Sequence, residues 1–216
     1  YEIRNCDWSS DVCSSDLLAI VNIGGVANIT LIGADGQLRA FDTGPGNGPI
    51  DQWVHRQGFG RFDRDGQLAA SGQVDQAILA QMLAHPFFAH QGPKSLDRYD
   101  FTPEPVANLS AADGAATLAA LVVQSIRLAI QRSNETFSAV IVCGGGRHNC
   151  AIMNGLAQHL TCPVMSAEQA GWDGDATEAQ AFAFLAARSL HGLPISFPRS
   201  EEHTSELQSQ FRISYA

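Results

Sequence analysis

The chain has 216 residues, 45% of them apolar and 16% charged, with a formal net charge of −9. That length is enough for one sizeable core or one lobe of a larger enzyme, and the acidic balance argues against nucleic acid or an anionic membrane as partner, because those are met by basic faces. No apolar run is expected to reach a membrane span, and no signal peptide is visible.

The two ends read as non-native tails. Asp7 to Asp16 (DWSSDVCSSD) and Arg199 to Ser209 (RSEEHTSELQS) look unrelated as protein. Yet one DNA string encodes the second when read forward and the first when read on its opposite strand, as translated sequencing adapters flanking an insert would. Residues 1–16 and 199–216 are therefore expected to be adapter-derived, leaving residues 17–198 as the folding unit.

Within that unit the pattern is mixed α/β. Leu17 to Ile23 (LLAIVNI) reads as a buried strand running into Gly24-Gly25; Asn28 to Ile32 and Gln37 to Phe41 flank Asp35-Gly36 as a hairpin. The run Phe41 to Asn47 (FDTGPGN) then places a carboxylate at a strand end beside a backbone turn. Gly48-Pro49 opens a short helix over Ile50 to Gln57, and Val74, Ile78, Leu79, Met82 and Leu83 mark an amphipathic helix from Val74 to Ala84 that stops before Pro86. Phe87 to Pro105 is expected to cross irregularly. Ser110 caps a long helix to about Arg132, with Leu118, Leu121, Val122, Ile126 and Ile130 on its apolar stripe. A strand at Ser138 to Cys143, a turn at Gly144 to Gly146, a helix at Asn149 to Leu160, a strand at Cys162 to Ser166 and a helix at Asp175 to His191 complete the unit.

Two glycine turns, Gly24-Gly25 and Gly144-Gly145-Gly146, each close an apolar strand. Glycine there lets the backbone approach a ligand and aim its N–H groups at an anion, so the pair suggests a polyphosphate held between them. A plain strand connection is the alternative for either turn. Neither turn has the Gly-Lys-Ser/Thr of a P-loop or a G-x-G-x-x-G opening a helix. Cys143, Cys150 and Cys162 lack C-x-x-C spacing and the histidines form no ligand pair, so no metal site is assigned and the thiols read as bystanders in a reducing compartment.

Four motifs in this order and spacing, Asn22 to Thr30 (NIGGVANIT), Phe41 to Asn47 (FDTGPGN), Cys143 to Asn149 (CGGGRHN) and Gly174 to Ala183 (GDATEAQAFA), resemble the anhydro-N-acetylmuramic acid kinase family from about Leu17 to Pro198. Gly92-Pro93-Lys94-Ser95 ahead of Arg98, and the ending Gly192-Leu193-Pro194, add to the resemblance. It implies a ribonuclease H-like lobe of the actin/Hsp70/hexokinase type, a mixed sheet with flanking helices, in an enzyme whose two lobes close on ATP with Mg2+. It also implies a cytoplasmic setting, ATP and a small amino sugar as partners rather than nucleic acid or membrane, and leaves room for a homodimer of the full-length protein.

The implied reaction opens the 1,6-anhydro ring of anhydro-N-acetylmuramic acid with water at C1 while O6 takes the phosphoryl group. The product is N-acetylmuramic acid 6-phosphate, formed in cell-wall recycling. A base must deprotonate the water, as in an inverting glycosidase, while the phosphoryl group replaces the usual general acid. By its match to the family's DTGPGN aspartate, Asp42 is the candidate base; its alternative role is an Asx-turn residue bonding Gly44. Glu178 is the second candidate catalytic carboxylate, and equally suits a capping box with Asp175. Gly24, Gly25, Gly144, Gly145 and Gly146 are expected at the nucleotide with Asn28 and Asn149, two asparagines that can equally stabilise turns. Thr43, Gly44 and Asn47 are expected at the sugar, with Lys94 and Arg98 on its lactyl carboxylate. Leu96-Asp97 and Gly48-Pro49 depart from the residues usual in the family.

The family's N-terminal phosphate loop, Gly-Thr-Ser-x-Asp-Gly, does not occur before Leu17. The chain is therefore expected to be the second lobe, inactive alone. Another actin-fold sugar kinase, and a non-catalytic nucleotide or amino-sugar binding module, stay open as alternatives.

Overall fold

Alternation of apolar residues drives the first three strands to bury one face. Strands β1 (Leu18–Ile23) and β2 (Val26–Ile32) bury every second residue and pair antiparallel, from Leu18 opposite Ile32 to Ile23 opposite Ala27. β3 (Leu38–Pro45) pairs antiparallel to β2, so the expected hairpin forms; its turn, residues 34–37, lies outside the described part. The computed structural model describes residues 17–33, 38–90 and 94–195, with Glu178 described by its backbone alone. The tails read as adapter-derived, and Gly92-Pro93, also lie outside that part.

After β3 come helices α1 (Gly48–Arg56), α2 (Gln67–Ser71), α3 (Gln76–Leu83), α4 (Pro86–Ala89) and α5 (Ala111–Arg132). Strand β4 (Ala139–Cys143), helix α6 (Cys150–His159), strand β5 (Val164–Ser166) and helix α7 (Thr177–Leu190) follow. β4 lies parallel to both β1 and β5, giving the sheet order β3-β2-β1-β4-β5. Three antiparallel strands continued by two parallel ones, with helices against the sheet, are the ribonuclease H-like arrangement expected.

The core lies between the sheet and α5. Val21, Ile23, Ile29, Leu31, Val140 and Val142 from the strands meet Leu118, Leu121, Val122 and Ile126, and all are fully or almost fully buried. Each such side chain contributes about 1.5–3 kcal/mol over its exposed state. Ser110 caps α5 as expected, its hydroxyl accepting from the Asp113 N–H at 3.1 Å. One expectation fails here: α5 is long and apolar enough to cross a membrane, but 72% of its most apolar window is buried inside the fold, so the apolarity serves packing. A smaller cluster of Ile141, Cys143 and Ala167 with Trp172 covers part of the opposite sheet face.

Local chemistry explains the shifted boundaries. Helix α3 starts two residues later than expected because Asp75 caps it, accepting from the Ala77 and Ile78 N–H groups. Helix α2 was not expected, and it is held at its start by Asp63, whose two carboxylate oxygens accept from Leu68 and Ala69 at 2.8 and 2.9 Å. The N-cap of α7 is not the expected Asp175, and the Glu178 half of the expected capping box lies outside the described part. Ala176 is the N-cap residue, Asp173 takes the Asp175 and Ala176 N–H groups, and the Asp175 carboxylate binds Arg147 instead.

Candidate functional site

Strands β1, β3 and β4 run the same way, so their carboxyl ends deliver three turns to one edge of the sheet. The turns are tied through backbone bonds. The Gly25 carbonyl accepts from the N–H groups of Gly46 and Gly48, both at 3.1 Å, and the Gly24 carbonyl accepts from Asn47 at 2.7 Å. Gly46 must be bare for this: a Cβ there would stand 2.3 Å from the Gly24 oxygen. Gly144 has φ +73°, a left-handed conformation suited to glycine, and lies against Asn22 and the Ile23 carbonyl.

Gly25 and Gly145 differ from these. Neither has a left-handed φ, both are exposed, nothing lies within 4 Å of a Cβ placed on Gly25, and only the Asn47 Nδ2 comes as near as 3.6 Å to one on Gly145. Packing does not demand glycine at either place; the open space before them is where a ligand would meet bare backbone. Gly145 opens on a cavity of about 330 Å3 lined by Asn47, Asp51, Asp63, Asp65 and His148. Burial and the neighbouring Asp63 carboxylate push the Asp51 carboxyl up to about 6. Among the described residues no group of three or more His, Cys, Asp or Glu could hold a metal ion. The three aspartates line the cavity without forming such a group.

Asp42 stands opposite Asn28, which stands opposite Asn22, which stands opposite Cys143. The four share one row and one face, across three strand spacings or about 14 Å. A bulge puts Thr43 between the pairs Asn28–Asp42 and Ala27–Gly44 and so sets where β3 turns its carboxylate. Instead of the Asx turn to Gly44, the Asp42 Oδ2 accepts from the Leu96 N–H at 2.8 Å. Burial raises its pKa, and that bond opposes the rise. The elevation favours a carboxylate able to take a proton.

Other expected site residues are placed differently. Thr43 is buried, and its hydroxyl donates to the Ala27 carbonyl; Gly44 packs where a Cβ would meet Ser125 at 2.7 Å. Neither offers a side chain to a sugar. Asn149 is buried and its Oδ1 caps α6 through the Ala151 and Ile152 N–H groups. The Lys94 ammonium donates to the Phe87 and His90 carbonyls, beside a cavity lined by Arg39, Phe41 and Thr43, which alternate with Asp42 and so face the other side of β3. Arg98 is exposed over the Tyr99 ring. Asn47 stays with the glycine turns, and Glu178 occupies the first turn of α7, its side chain outside the described part.

Sequence reasoning missed Arg147. It is buried, donates to the Gly144 carbonyl at 2.9 Å, and pairs with Glu168 at 2.7 Å and Asp175 at 2.5 Å. The guanidinium thereby joins the second glycine turn to the segment leading into α7. Its place inside CGGGRHN was the only signal. Asp51 and Asp63 gave none, since only the fold brings them to Gly145.

The family model of anhydro-N-acetylmuramic acid kinase matches residues 13–208. The chain is 60% identical over 181 residues to the anhydro-N-acetylmuramic acid kinase of Caulobacter vibrioides, covering 84% of this chain and 49% of that protein. It is 49% identical over 183 residues to the protein of that name from Phenylobacterium zucineum, covering 85% and 50%, and 52% identical over 186 residues to that of Acidiphilium cryptum, covering 85% and 51%. The chain thus spans about half the length of the curated relatives it matches.

Proposed function

The chain belongs to the anhydro-N-acetylmuramic acid kinase family, and on that premise we propose that it supplies one nucleotide- and sugar-facing lobe of an ATP-dependent kinase acting on anhydro-N-acetylmuramic acid. The observation that carries the reading is Gly145, exposed, free of any packing need for glycine, and open to the cavity beside Asn47. In this reading the backbone of Gly144 to Gly146 faces the phosphates, the cavity takes the nucleoside end, and Gly25 meets the ligand from the neighbouring turn. Mg2+ would arrive with ATP. Among the described residues no group of three or more His, Cys, Asp or Glu makes a cage for it, and none is assigned to it.

Asp42 then acts as the base. Its half-buried carboxylate, steadied by the Leu96 N–H, takes a proton from the water that attacks C1; the C1–O6 bond breaks, and O6 takes the γ-phosphoryl group of ATP as the bond to ADP breaks and ADP departs. The distance of about 14 Å along the row from Asp42 to Cys143 leaves room for the sugar and phosphates between base and glycine turn. Glu178 is the second carboxylate, on the same family match. Phosphoryl transfer needs charge stabilisation from both sides of the phosphates, so this chain alone is inactive in this reading.

The test uses a chimaera in which residues 17–198 replace the matching segment of the Caulobacter vibrioides relative. In labelled water the oxygen label should enter C1, O6 should carry the phosphate, and Asp42→Asn should reduce turnover by about 10²–10⁴-fold. Phosphorylated product with an intact anhydro bridge would move the reading to an ordinary sugar kinase.

A further inference from the structure

A second cavity, of about 460 Å3, lies on the helix-covered side of the sheet between β3, the last turns of α5 and the segment around α4. Its size is that of a small-molecule pocket. Phe41, Phe88 and Leu128 give it an apolar wall. At its floor Thr43 and Ser125 are buried, and their hydroxyl protons are already given to the Ala27 and Val122 carbonyls.

The polar end is cationic. Lys94 is half-buried, donates to the Phe87 and His90 carbonyls at 2.9 and 3.4 Å, and stands 4.1 Å from the centre of the Phe87 ring. Arg132 donates to the Phe88 carbonyl. An ammonium carries three N–H bonds and a guanidinium five, so most of the donors of Arg132 remain for another acceptor. Arg39, at the same cavity, is neutralised by Glu135 at 2.5 Å. Among the described residues Lys94 and Arg132 have no such carboxylate. Burial, and then the like charge of Arg132, push the Lys94 ammonium below its ordinary pKa. Two neighbouring cations on apolar ground, in a chain of net charge −9, are an arrangement that an anion between them would relieve.

We propose that this cavity is an organic-anion site, taking a carboxylate or phosphate monoester between Lys94 and Arg132 with its apolar body against Phe41, Phe88 and Leu128. It is separate from the proposed sugar site, since Asp42 faces the other side of β3. Arg132 supplies the planar fork that suits either anion, and Lys94 the point charge.

The 216-residue chain, isotopically labelled, is titrated with phenyl phosphate, benzoate, inorganic phosphate and benzyl alcohol while its amide and arginine side-chain NMR signals are followed. Phenyl phosphate or benzoate should saturate, moving Phe88, Lys94, Ser125 and Arg132; whichever binds tighter identifies the anion class. Inorganic phosphate should bind about tenfold more weakly for want of the apolar wall, and benzyl alcohol should give no saturable response. Lys94→Gln should weaken the organic anion about tenfold, and Lys94→Arg, which keeps the charge, should restore it. Arg132→Gln, which also removes the contact to Phe88, is read only if its remaining spectrum matches the parent chain. Absence of saturation by either organic anion up to about 10 mM, equal binding by Lys94→Gln, or shifts centred on Gly144 to Gly146 would overturn the proposal.

Discussion

Replacing Gly46 by alanine should damage the site through packing alone. A Cβ there would stand 2.3 Å from the Gly24 carbonyl oxygen and 3.0 Å from the Val26 carbonyl carbon, both backbone atoms that no side-chain rotation can clear. The two turns must separate, and three bonds share that seam, from Gly46, Asn47 and Gly48 to the Gly24 and Gly25 carbonyls. Three bonds at about 1 kcal/mol each, with strain of about 1–2 kcal/mol added, give a cost of about 4–5 kcal/mol for Gly46→Ala. Gly25→Ala and Gly145→Ala are the controls. Nothing crowds either, so each should leave stability within about 0.5 kcal/mol. Urea unfolding followed by tryptophan fluorescence suits the measurement, since Trp53 is buried in α1 just beyond the seam. In the chimaera, Gly145→Ala should raise the Kd for ATP about tenfold or more while Gly46→Ala loses stability first. A Gly46→Ala protein as stable as the parent, or a Gly145→Ala protein that binds ATP normally, would refute the division into packing and ligand-facing glycines.

Asp51→Asn should stabilise the chain near pH 7 by about 1–2 kcal/mol, allowing for partial solvent screening. The sign follows from a folded pKa raised to about 6 from an ordinary 3.8: the folded state holds the extra proton, so the parent loses stability as pH rises through this window, and the Asn variant should not show that fall. Arg147→Met should destabilise by about 2–3 kcal/mol, as loss of a buried hydrogen-bonded charge does, and amide exchange should quicken at Gly144 to Gly146. Glu168, held down to about 2 chiefly by its bond to Arg147, should contribute fully above about pH 4.5 and lose that contribution as pH falls toward 2, a loss absent from Glu168→Gln in an acid titration. Leu121→Ala in the middle of α5 should cost about 2–5 kcal/mol by urea unfolding, whereas an equal effect from the exposed Leu190→Ala would contradict the placement of the core.

What the sequence determined by itself is the part of the fold that repeats locally. The period-two burial of β1 and β2, the stripe and Ser110 cap of α5, and the glycine turns that close β1 and β4 are written in neighbouring residues, because a strand or helix face is defined within a few positions. The four motifs likewise carried the family without any contact being known. Tertiary structure decided what depends on distant chain segments. It spent the Asn149 side chain on a helix cap and buried the Thr43 hydroxyl against Ala27. Asp75 set a helix start that the apolar pattern misplaced, and Asp63 set that of a helix the pattern did not reveal. The Lys94 ammonium went to the cavity on the other side of β3 from Asp42, and Arg147 became the clamp between the second glycine turn and the approach to α7. A polar side chain offers the same atoms to a ligand, a cap or a carbonyl, and which partner it takes depends on the backbone groups that folding brings within about 3 Å.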